Sequence, residues 1–138
     1  MVDRLRPHSV RSPGSPAPWA PEIVGSISDL IEYTDVAAGT ATVLIGTLPA
    51  GARYLDSSVK VITAFNAGSA DALTVGISSD YDYLVTNGNP TTADSESYGE
   101  LLDWTPTTDQ SIYAQYTHSS TAPTTGKAIV TVRFKQPL

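Results

Sequence analysis

Cysteine is absent from the 138 residues, so the chain can build neither a disulfide framework nor a thiolate metal site. Charge is scarce as well. Asp, Glu, Lys and Arg make up 16% of the chain, while Thr, Ser, Ala and Gly are abundant. That balance suits short strands joined by small-residue turns rather than amphipathic helices. No apolar run approaches the length of a membrane span, and the start lacks the apolar core of a signal peptide. The expectation is a protein with no membrane partner and no targeting segment, made in the host cytoplasm. Basic residues are few and unevenly placed. Residues 1–21 hold Arg4, Arg6 and Arg11 against Asp3, a net of +2, so the rest carries −8 of the total −6. Such an acidic body is a poor match for nucleic acid, because phosphate contacts need clustered Lys and Arg.

What is present is β-rich. From Thr40 to Ser78 two long apolar runs and a shorter third are joined at Pro49-Ala50-Gly51 and at Asn66-Ala67-Gly68. In the second run Leu55, Val59, Val61 and Phe65 share one parity and Asp56, Ser58 and Lys60 the other, the period of a half-buried strand. The pattern predicts strands over Thr40–Leu48, covered on both faces, over Arg53–Phe65, and over Ala72–Ser78. The Asn66–Asp71 turn reads as the hairpin connection between the last two. A further strand is expected at Ser28–Tyr33, then a turn at Ala37-Ala38-Gly39. Residues 79–98 read as a long polar loop with a helical turn near Tyr81–Val85. Strand character returns at Leu101-Leu102. Ile112, Ala114 and Tyr116 alternate with polar neighbours, and a turn over His118–Gly126 leads to Ala128, Val130, Val132 and Phe134 on one face, a terminal hairpin. Seven or eight strands with turns between them give an all-β fold, an antiparallel β-sandwich of jelly-roll or immunoglobulin-like type.

Residues 1–21 stand apart. Five prolines, at Pro7, Pro13, Pro16, Pro18 and Pro21, forbid helix and sheet interior, so this is an extended arm ahead of a sandwich domain spanning 22–138. Alone it buries too little to offset its ordering entropy, so a neighbouring subunit or larger assembly is expected to hold it. Trp19, set between prolines, is the natural anchor, on a partner or over one edge of its own domain.

The chemistry-bearing residues fall into no catalytic pattern. His8 and His118 have no partner at ligand or triad spacing and read as exposed polar residues, and Gly25-Ser26 and Gly68-Ser69 lack the flanking residues of a nucleophile elbow. Asp80, Asp82, Asp94, Glu96, Glu100 and Asp103 would serve as a hydrolytic carboxylate pair or a calcium cluster only if the fold gathered them, and they lack the glycine and distal glutamate of an EF-hand. Tyr81, Tyr83, Tyr98, Trp104, Tyr113 and Tyr116 suit a sugar-binding platform or a packed rim between subunits. No cofactor is implied.

Leu48-Pro49-Ala50-Gly51-Ala52, the strand end Val61-Ile62-Thr63-Ala64-Phe65-Asn66-Ala67-Gly68, Asp71-Ala72-Leu73-Thr74-Val75-Gly76 and Ile112-Tyr113-Ala114-Gln115-Tyr116-Thr117 together resemble small virion proteins of tailed bacteriophages, the head decoration or cement class above all. The resemblance spans roughly residues 40–135. It implies a non-enzymatic protein on the outer head surface, commonly a homotrimer, that clamps neighbouring major capsid protein subunits. On that reading Arg4, Arg6, Arg11 and Trp19 make the capsid or inter-subunit contacts. The rivals are a tail, baseplate or fibre component with a glycan-binding sandwich, a small hydrolase using the acidic residues, and a free-standing binding module.

Overall fold

The computed structural model describes residues 24–36, 39–67, 72–118 and 121–136. Eight strands appear in chain order: β1 (Val24–Glu32), β2 (Thr40–Leu48), β3 (Arg53–Thr63), β4 (Ala72–Ile77), β5 (Asp80–Gly88), β6 (Glu96–Tyr98), β7 (Gln110–Thr117) and β8 (Lys127–Lys135). The one helical element among the described residues is a 3-10 turn at Tyr33–Asp35. No helix among them is long and apolar enough to cross a membrane. The predicted junction at residue 22 lies outside the described residues, as does part of the Ala37–Gly39 turn.

The strands form two antiparallel four-stranded sheets, the first in the order β1-β8-β3-β6 and the second β2-β7-β4-β5. Every connection but β4–β5 passes from one sheet to the other, which is the jelly-roll arrangement. Both predicted hairpins are therefore corrected. Asn66–Asp71 and His118–Gly126 each carry the chain across the sandwich, because β3 and β8 belong to the first sheet and β4 and β7 to the second.

Alternation fills the space between the sheets. Ile112, Ala114 and Tyr116 of β7 and Ala128, Val130, Val132 and Phe134 of β8 all point inward, as their spacing predicts. Parity fails in β3. A bulge between Tyr54 and Asp56 inserts one residue, so Tyr54 and Ser57 are buried while Leu55 is only half-buried, and the strand ends at Thr63. A bulge in β2 between Leu44 and Gly46 likewise aims Ile45 inward. Leu44 is left 54% exposed, so β2 is not covered on both faces within the subunit.

Two further corrections concern the middle of the chain. Tyr81–Val85 is strand, not helix, and lies in β5 paired with β4. Residues 101–104 have no strand pairing and instead run along the end of the sandwich. β1 also begins earlier than the Ser28–Tyr33 reading and gives way to the 3-10 turn at Tyr33.

The two ends of the sandwich differ. At one end four interstrand loops are sewn together: the Tyr33 amide donates to the Gly126 carbonyl at 3.1 Å, His118 to Gly39 at 2.9 Å and Phe65 to Pro90 at 2.8 Å. Asn66 there accepts from the Thr124 and Thr125 amides at 2.7 and 3.0 Å. At the other end the chain turns at Pro49–Ala52, where Gly51 takes φ +81° and the Ala52 amide reaches the Pro49 carbonyl at 3.1 Å, the geometry of a glycine-requiring turn. The long β6–β7 connection is pinned beside it by Gly51 donating to Pro106 at 2.8 Å and Tyr54 to Trp104 at 2.9 Å. Val24, where β1 starts, pairs with Lys135 at this same end.

Candidate interaction surface

The four residues assigned to partner contacts, Arg4, Arg6, Arg11 and Trp19, lie outside the described residues. The surfaces offered by the described body are set by how the sheets divide the charge. All five of its cations, Arg53, Lys60, Lys127, Arg133 and Lys135, sit on strands of the first sheet. Three of them meet carboxylates on the same side: Arg133 grips Asp56 through two nitrogens, with Nε at 2.7 Å, Lys127 lies 4.0 Å from Glu32, and Arg53 lies 3.6 Å from Asp103. These pairs are solvent-exposed and individually weak, but they leave the first sheet locally neutralised.

The second sheet is different in kind. β2, β4 and β7 contain no Asp, Glu, Lys or Arg at all, and β5 contributes only Asp80 and Asp82. Its outer face presents Leu44, directly across from Tyr113, with Gly76 facing Tyr113 from the other side. Tyr81 covers that glycine's neighbourhood and meets Tyr113 edge-on, ring centres 5.8 Å apart. Thr40, Thr42, Thr74, Gln115 and Thr117 surround this cluster. A bare glycine at position 76 is what permits the arrangement. Between the Val75↔Val85 and Ile77↔Asp80 pairs β5 spends three more residues than β4, and the excess folds over Gly76 so closely that a Cβ there would sit 2.2 Å from the Asp80 carbonyl oxygen.

The acidic residues do not converge. Asp80 and Asp82 are exposed on β5 with their carboxyls against each other; the hydrogen bond that the protonated Asp82 carboxyl donates to Asp80, then the mutual repulsion, raises Asp82 above the ordinary aspartate range. Neither has a cation partner among the described residues. Asp94 and Glu96 belong to the β5–β6 region and Glu100 and Asp103 to the β6–β7 connection. Among the described residues no three His, Cys, Asp or Glu side chains are grouped to hold a metal. A groove of about 340 Å³ runs beside the β6–β7 connection, lined by Arg53, Tyr54, Leu101, Leu102, Asp103 and Lys135. It offers one carboxylate, which already faces Arg53, where hydrolysis by paired carboxylates needs two.

The six aromatics divide rather than forming one platform. Tyr116 is fully buried against Phe65 at 5.1 Å, Tyr83 and Trp104 pack edge-on at 5.2 Å against the core, Tyr98 stands 74% exposed on β6, and Tyr81 with Tyr113 faces out from the second sheet. His118, expected to be exposed, is buried at the sewn end with its ring 5.8 Å from Tyr116 and neither ring nitrogen hydrogen-bonded among the described residues. The outer face of the second sheet was not visible in the sequence. Its signal was the absence of charge over three separated strands, which only strand order assembles into one surface.

No model of a known protein family matches the chain, and no curated protein does. Solved structures do match. A chain described as part of the capsid asymmetric unit of cyanophage Pam1 is 17% identical, with TM-score 0.68 over 91% of this chain and 100% of that one. A chain from the acidic stable capsid structure of Helicobacter pylori bacteriophage KHP30 is 16% identical with TM-score 0.66, covering 84% of this chain and 90% of that one. One from the capsid of Ralstonia phage GP4 is 18% identical with TM-score 0.62, covering 90% of each. The jelly-roll sandwich built by this sequence is thus a fold it shares with chains found in three phage capsids.

Proposed function

We propose that this protein is a non-enzymatic bacteriophage virion component that decorates the outer head surface and cements neighbouring major capsid protein subunits, as a homotrimer. The observation that carries the reading is the fold match over most of the chain to proteins within three phage capsids. Three features support it. The described body is a rigid sandwich without a gathered catalytic set, one sheet of it is depleted of charge as interface cores are, and the sequence ahead of Val24 is basic and proline-rich. In this scheme residues 1–21 form an arm ahead of the sandwich domain of 22–138, and Arg4, Arg6, Arg11 and Trp19 attach it to the shell or to a neighbouring copy. Proline lowers the ordering entropy of such an attachment in advance, and repetition over a shell makes weak attachments collectively tight.

The test is a variant lacking residues 1–20, added to expanded heads. Occupancy falls at least tenfold relative to the full chain if the arm attaches it. Unchanged occupancy would remove the arm from the mechanism.

A further inference from the structure

The second sheet's outer face and the leader sequence are complementary in composition. We propose that the face centred on Leu44, Tyr113 and Tyr81, with Asp80 and Asp82 at its edge, is the docking surface for residues 11–21 of a second copy of this chain. It rests on the reading above that the leader reaches a neighbour.

Four observations carry the assignment. Leu44 is an aliphatic side chain on a strand whose flanking residues Val43 and Ile45 are directed inward, so it stands outside the subunit's core with more than half of its surface open to solvent. Tyr113 and Tyr81 are half-buried and meet edge-on, offering an aromatic surface of the kind on which proline-rich segments dock. Residues 11–21 read Arg-Ser-Pro-Gly-Ser-Pro-Ala-Pro-Trp-Ala-Pro, with prolines three apart at Pro13 and Pro16 and again at Pro18 and Pro21, the spacing of one polyproline turn. Such a segment spans roughly 34 Å when extended, longer than the roughly 15–19 Å width of a four-stranded sheet. Charge supplies the fourth. Asp80 and Asp82 are the only charged groups on these strands, they oppose each other, and no cation among the described residues relieves them. Arg11 brings a fork of donors matched to carboxylates. On the first sheet Asp56 and Glu32 already face Arg133 and Lys127 and Glu96 lies across from Lys60, which leaves Asp29 of β1 as a single carboxylate rather than an adjacent pair.

The chain's lack of cysteine makes a direct test clean. Full-length Ser15→Cys and Thr42→Cys variants are prepared separately, one carrying a mass tag, then mixed and oxidised without capsid present. The mixed disulfide is expected to form at least fivefold faster than between Ser15→Cys and Ser28→Cys, whose cysteine lies on the exposed face of the first sheet. Adding Leu44→Asp, or Asp80→Asn with Asp82→Asn, to the Thr42→Cys chain should lower that yield at least fivefold while leaving the melting temperature in place. Equal yields on the two faces, or a yield indifferent to Leu44→Asp, would overturn the docking surface. A Ser15→Cys/Thr42→Cys double variant that closes only within single chains at every concentration would overturn the second copy as its source. Because no shell takes part, either failure leaves attachment to heads to be judged by the deletion of residues 1–20.

Discussion

The phenol of Tyr54 has one proton and gives it to the Glu100 carbonyl at 3.0 Å, so the hydroxyl of Ser57, 2.7 Å away, must donate to the phenol oxygen. This bond pair ties the β6–β7 connection to β3. Burial raises the phenol's pKa above the ordinary tyrosine value, opposed by the Ser57 hydrogen bond and assisted by the charges of Asp56 and Glu100. The folded value exceeds the unfolded one, so this contribution to stability is full below the unfolded pKa near 10 and is lost as pH rises through the folded value. Tyr54→Phe should therefore cost about 1–2 kcal/mol at neutral pH, leaving the Ser57 hydroxyl and Glu100 carbonyl unpaired, and the gap to wild type should narrow above about pH 10. Urea unfolding of both proteins across that range reads the difference, and a constant gap would mean the phenol does not titrate with folding. His118 gives the opposite expectation. With both ring nitrogens buried and unpaired among the described residues, His118→Phe should leave the melting temperature unchanged or raise it, whereas Ile112→Ala on the preceding strand β7 should cost about 2–5 kcal/mol. Burial of His118 was illegible because its Ser/Thr neighbours look like a solvated turn, and only the packing of the sewn end encloses it.

At the scale of elements, β5 depends on Gly76. A methyl group there would meet the Asp80 carbonyl oxygen at 2.2 Å and the Tyr83 amide nitrogen at 2.8 Å, backbone atoms of a folded-over strand that cannot swing aside. Gly76→Ala should cost about 3 kcal/mol and shift the amides of Asp80 to Tyr83 in a heteronuclear spectrum far more than those of β8. A loss below about 0.5 kcal/mol would show that the bulge yields easily. The same bulge explains why the strand hid in the sequence: its surplus residues break the two-residue period, and Asp-Tyr-Asp-Tyr resembles a polar loop. Regular strands were legible. In β7 and β8 inward residues alternate without interruption, and their parity was read correctly from end to end. The turns were found too, but Asn66-Ala67-Gly68 and the run from His118 to Gly126 report only that the backbone reverses. They carry no mark of the sheet the next strand joins, so a step across the sandwich passed for a hairpin.

For the molecule as a whole, the sandwich class and the strand number followed from turn spacing and small-residue composition, while strand order and the uncharged face did not. Such a face is made of Thr40–Leu48, Ala72–Ile77 and Gln110–Thr117, segments far apart in the chain, each of which alone looks like an ordinary strand. The basic leader, by contrast, announced itself locally through proline and arginine. A shell-coating role has a consequence for stoichiometry. The protein should co-purify with intact particles in tens to hundreds of copies, measured by quantitative gel or mass spectrometry of purified virions, and a handful of copies would point to the tail.

Among the described residues strand β1 has one hydrogen-bonded neighbour, β8, which it meets along its full length from Val24↔Lys135 to Glu32↔Lys127, and β8 is also what joins β1 to β3. The first of the eight described strands to leave the ribosome thus has to wait for the last of them. Until synthesis passes Lys135 the first sheet lacks its centre, and β1 and β3 expose open edges. Translation pauses late in the message, or nicking within the final strand, should therefore release the opening strand and favour aggregation far more than similar insults in the surface turns.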